Sequence, residues 1–101
     1  KDSVRKVATQ YPGVVFEHCS GYSKAENLGG YFGRMYQPRY LSGVAAGLLT
    51  DSTTIGYVAA YPTAEVKRGI NAFAEGVTAV APDATVIVEW TGAWKDFEAE
   101  R

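Results

Sequence analysis

The feature that most narrows the fold is the stretch from Thr54 to Trp90, where the spacing of apolar residues changes twice. Thr54 to Ala60 (TIGYVAA) reads as a strand with apolar residues on both faces, the pattern of a parallel sheet covered on two sides. Pro62-Thr63 then opens a helix. Val66, Ile70, Phe73, Val77 and Val80 form its apolar stripe, with Lys67, Arg68, Asn71 and Glu75 mostly outside it. Thr63 is placed to cap the helix, and Glu65 lies near the positive end of its dipole. Pro82-Asp83 closes the helix, and Thr85 to Trp90 (TVIVEW) is again a strand. Strand, helix and strand in this order predict a right-handed parallel crossover.

The flanking segments extend the alternation. Val4, Val7, Ala8 and Tyr11 share one helix face, and Tyr11-Pro12-Gly13 ends it because proline lacks a donor and glycine permits a turn. Val14-Val15-Phe16 predicts a short buried strand fading at Glu17-His18-Cys19, followed by a polar, glycine-rich connection from Ser20 to Gly33. Tyr40, Leu41, Val44, Ala45, Leu48 and Leu49 restore helical spacing, with Gly43 and Gly47 making a small-residue stripe where another backbone can come close. From Asp96 onward another helix starts, which the end of the sequence cuts short. The expected class is α/β, a Rossmann-like three-layer arrangement with a parallel sheet. In such sheets ligands sit beyond the carboxyl ends of the strands, here the loops His18 to Gly21, Tyr61 to Thr63 and Thr91 to Asp96.

Bulk properties exclude several roles. At 101 residues, 47% hydrophobic, 21% charged and net charge −1, the chain offers no electrostatic attraction for nucleic acid or an acidic membrane. No apolar run approaches the roughly 20 residues a spanning helix needs. The opening Lys1-Asp2-Ser3 is neither an initiator Met nor the front of an apolar leader, which reads as a piece of something longer. One cysteine, Cys19, permits no internal disulfide.

Three segments together resemble the basic membrane protein (BMP) family of ABC-transporter solute-binding proteins. YFGRMYQPRYLSGVAAGLL (31–49) is similar to the family's entry into a glycine-bearing helix. IGYVAAYPTAEVKRGINAFAEGV (55–77) resembles its strand, proline loop and R-G-x-N-x-F-x-x-G helix. DATVIVEWTGAWKD (83–96) looks like its strand leading into a T-G-aromatic-x-D loop. The resemblance implies part of a type I periplasmic-binding-protein fold, in which two lobes clamp a ligand. Residues 1–30 would then be the end of the first lobe and its connection, and 31–101 the start of the second. It implies an extracytoplasmic receptor, in the periplasm or on the outer face of the membrane, lipid-anchored through an N-terminus outside this sequence. Its partners would be a purine nucleoside or similar small molecule and a membrane ABC permease. The alternative is a ligand-sensing regulatory domain of the same fold.

Four residues are candidate ligand contacts. Trp94 follows a strand end at the position where the family carries an aromatic that packs on the base; otherwise it covers a helix end. Tyr61 stacks or donates to a ribose hydroxyl, or packs at the rim. Asp96 caps the last helix or bonds ribose hydroxyls. Asn27, like Arg34, approaches the implied hinge or serves as a turn residue. Arg68 and Asn71 read as solvated face and local packing.

Enzymatic chemistry finds no support. Adjacent strand residues point to opposite faces, so His18 cannot serve as base for Cys19, and the absence of a second histidine removes the usual zinc sites. Gly29, Gly30 and Gly33 do not follow a strand in the phosphate-loop manner, and no G-K-[ST] occurs. No cofactor, metal or catalytic residue is therefore expected.

Overall fold

The computed structural model describes residues 3–101, which form two compact units dividing between Arg34 and Met35. In the first, helix α1 (Ser3–Gln10) precedes two parallel strands, β1 (Phe16–Cys19) and β2 (Leu28–Tyr31). Ala8 and Leu28 are its buried apolar residues. The buried strand expected at 14–16 lies instead at Phe16–Cys19, with Val14 and Val15 exposed ahead of it, and the connection expected from Ser20 to Gly33 contains β2, which no sequence pattern announces. Its Leu-Gly-Gly-Tyr composition lacks both alternation and β-branching. Pairing with Phe16–Cys19 creates the strand instead, in register Phe16↔Leu28 to Cys19↔Tyr31. The Asn27 side chain anchors this unit, the two protons of its amide nitrogen being shared among the carbonyls of Ala8 (3.0 Å), Tyr11 (3.1 Å) and Val14 (2.8 Å).

The second unit contains α2 (Tyr36–Leu49), β3 (Thr54–Ala59), α3 (Ala64–Val80) and β4 (Thr85–Trp90). The α2 helix starts one turn earlier than its apolar spacing shows. Pro38 is tolerated there because the first-turn N–H groups have no intrahelical acceptor. The expected unit from Thr54 to Trp90 forms, with β3 and β4 parallel from Thr54↔Thr85 to Ala59↔Trp90. Thr63 caps α3, its hydroxyl accepting from the Val66 N–H at 3.4 Å.

Helices α2 and α3 meet through small residues. A β-carbon on Gly43 would collide with the Phe73 carbonyl oxygen, and one on Gly76 with that of Tyr40. Val77, fully buried, fills the core beside them. One face of the β3–β4 pair carries Ile55, Tyr57, Val86 and Val88, all half-buried. Tyr57 meets Phe73 of α3 edge to face, with ring centroids 5.0 Å apart. The opposite face, with Gly56, Val58 and Ile87, is open: Val58 is 55% and Ile87 47% exposed. The two-sided apolar pattern predicts cover on both sides, and the described residues supply one.

The expected final helix is a single turn. Glu100 N–H bonds the Asp96 carbonyl at 3.0 Å, and the sequence ends one residue later, at Arg101. No helix among the described residues is long and apolar enough to cross a membrane.

Candidate ligand-binding site

The carboxyl ends of β3 and β4 lie side by side, because parallel pairing keeps Ala59 opposite Trp90. Each strand then leaves the sheet by a tight turn. After β3, Thr63 N–H bonds the Tyr61 carbonyl at 2.7 Å across Pro62, bringing the chain directly into the cap of α3. After β4, Thr91 N–H bonds the Ala59 carbonyl (2.8 Å) and Gly92 N–H the Ala60 carbonyl (3.0 Å). Gly92 has φ of +69°, a left-handed conformation that glycine adopts without a steric penalty.

These turns bring Tyr61 and Trp94 together, with ring centroids 5.3 Å apart and planes inclined by 62°. Edge-to-face pairing of this kind is favoured by the ring quadrupoles and adds about 0.5–1.5 kcal/mol beyond area burial. Trp94 remains 69% exposed and Tyr61 38%. Trp94 lines an open cleft of about 500 Å³, with Val66 and Thr91 beside it and Arg39 and Glu100 supplying opposite charges. A flat ligand could lie on the exposed indole while its polar edge meets these groups. Tyr61 supports the indole rather than lining the cleft.

The chain matches the Bmp family, described as ABC transporter substrate-binding protein PnrA-like, over residues 1–101. It belongs to the Bmp family. A Haloferax volcanii relative, TsgA13, whose name assigns it to glucose binding in an ABC transporter, is 53% identical over 95% of this chain and 25% of its own length. A Brucella abortus (strain 2308) relative named as a purine-binding protein is 41% identical over 94% of this chain and 27% of its own. A solved ABC transporter solute-binding protein from Conexibacter woesei DSM 14684 superposes with TM-score 0.64 at 28% identity, covering 94% of this chain and 33% of that one. The chain thus spans about a quarter of the length of these curated relatives. The fold is the α/β architecture of such solute-binding proteins.

Within this Bmp chain the four candidate residues separate. Tyr61 and Trp94 are in ring contact. Asp96 lies close by in sequence, and its Oδ1 accepts from the N–H groups of Glu98 and Ala99, both at 3.1 Å. Glu100 Oε1 in turn accepts from Asp96 N–H at 3.2 Å, so Asp96 closes the terminal turn. Asn27 belongs to the other compact unit, with its amide nitrogen committed to three backbone carbonyls. Arg68 is on the surface, paired with Glu65 at 2.9 Å. His18 and Cys19 occupy successive positions of β1, and among the described residues no cluster of three or more His, Cys, Asp or Glu could hold a metal.

Arg39, Thr91 and Glu100 line the cleft without having been singled out in the sequence. Arg39 lies on a helix whose spacing shows only its apolar side, and Glu100 in a segment read as one more helix. Thr91 had a visible signal: a small hydroxyl residue directly after a strand, in a loop already marked for ligands.

Proposed function

We propose that this chain forms part of an extracytoplasmic solute receptor of an ABC importer, which captures a purine nucleoside or similar small molecule and hands it to a membrane permease. The observation that carries the reading is the Tyr61–Trp94 pair at the open strand ends, where an exposed indole stands braced by a second ring. Base–aromatic stacking is worth about 1–3 kcal/mol per base and tolerates variation in the base. The Brucella relative named as purine-binding supports that choice. Residues 1–30 belong in this reading to the end of a first lobe and 31–101 to a second, with a ligand clamped between lobes on closure. The protein acts by binding, without catalysis, and its receptor is held outside the cytoplasm by a lipid anchor.

A second ligand reading has its own support. The Haloferax relative is named for glucose, and the apolar face of a hexose also packs against an indole. Titration calorimetry of the full-length protein separates the two. Saturable binding of inosine, adenosine or guanosine with none for glucose supports the nucleoside reading; the reverse result transfers the site to a sugar. Failure with all nucleosides, free bases and hexoses overturns the stacking site itself.

A further inference from the structure

We propose that Thr91 is a positioning residue that sets the geometry of the Tyr61–Trp94 pair; its consequence for affinity rests on the stacking site proposed above. Its hydroxyl donates to the Ala93 carbonyl at 2.9 Å and accepts from Ala93 N–H at 3.3 Å. Ala93, the residue immediately before Trp94, is therefore held at both its N–H and its C=O by one side chain. The same oxygen lies 3.4 Å from the Ala59 carbonyl, which already accepts the Thr91 N–H at 2.8 Å. A hydroxyl has one proton, so the shorter bond to Ala93 is the dominant one. Ala59 stands two residues before Tyr61. Thr91 accordingly ties together the backbone leading into each ring.

Gly92 alone cannot perform this task. Its positive φ lets the chain turn, yet open space surrounds the position a β-carbon would take, so nothing there fixes where the turn points. Pairing of β4 with β3 extends only through the Gly92–Ala60 bond, and Trp94 lies two residues further on. The Thr91 hydroxyl spans that gap. Without it, the loop keeps its start but not the direction of the indole.

The test uses the full-length protein with Thr91→Val, which preserves shape but removes the hydroxyl, and Thr91→Ser, which retains it. Nuclear Overhauser contacts between the Tyr61 ring and the Trp94 indole report the pair directly, without any ligand. They should persist in wild type and T91S and be lost in T91V while the Tyr57–Phe73 contacts remain. Inosine titration should then show affinity about ten-fold weaker for T91V, the counterpart of one lost hydrogen bond, and within about two-fold of wild type for T91S. Retention of the Tyr61–Trp94 contacts in T91V overturns the assignment, as does their loss in T91S. Loss in T91V alone, in a protein whose wild type binds no inosine, upholds the positioning role and rejects the nucleoside site.

Discussion

Gly43 of α2 lies so close to the carbonyl oxygen of Phe73 in α3 that no side chain fits between the two helices. Gly76 stands in the same relation to the Tyr40 carbonyl. Alanine at either position gains up to about 1 kcal/mol in helix propensity, but backbone atoms cannot step aside as a flexible side chain does. Overpacking costs of about 1–3 kcal/mol therefore win. Gly69 is the control on the same helix: its β-carbon would meet only Arg39 Cγ, at 3.6 Å, an ordinary contact. Urea denaturation of the full-length protein should show Gly43→Ala and Gly76→Ala destabilised and Gly69→Ala neutral or more stable.

Replacing Trp94 should weaken ligand binding with little effect on the fold, since the side chain is largely exposed. Loss of one stacked base predicts a fall of roughly ten-fold or more for Trp94→Ala in inosine calorimetry, with Trp94→Phe intermediate. In a Trp90→Phe background, inosine should change the emission of Trp94. An unchanged spectrum and unchanged affinity for Trp94→Ala would remove the indole from the site.

Legibility in the sequence followed how locally each feature is determined. The strand–helix–strand unit from Thr54 to Trp90 was readable because its periodicity, its Thr63 cap and its closing proline agree with one another. The Gly43–Gly47 stripe was readable too, although the exposed Leu48 and Leu49 show that the small residues, not the leucines, choose the packing face. Strand β2 was invisible because Gly29 and Gly30 carry no pattern and take their extended form from pairing with β1. At the site, aromatic residues after strand ends marked Tyr61 and Trp94. Their mutual contact, and the approach of Arg39 and Glu100, depend on tertiary geometry that spacing does not encode.

Asn27 offers a clean separation of stability from binding. Its amide nitrogen shares two protons among the carbonyls of Ala8, Tyr11 and Val14, so Asn27→Ala removes two donors from a cluster of three acceptors. A loss of about 1–3 kcal/mol is expected, read as a lower urea midpoint. Inosine affinity of the folded variant should stay within about two-fold of wild type. A collapse in affinity with an unchanged midpoint would instead make Asn27 a ligand contact.

The open face of the β3–β4 pair gives the last expectation, for the 101-residue chain produced alone. Val58 and Ile87 stand exposed beside Gly56, whose missing side chain leaves the sheet surface flat, with Glu89 opposite Val58 as the charge on this face. Among the described residues β3 and β4 form a two-stranded sheet, so each has an unpaired edge. Flat, apolar and unpaired strands are templates for further pairing. Sedimentation velocity should therefore show self-association that rises with concentration. Ile87→Lys, which places a charge on that face and leaves the Tyr57–Phe73 side untouched, should shift the distribution toward monomer. A wild-type chain that sediments as a monomer throughout would show that this face is tolerated in water.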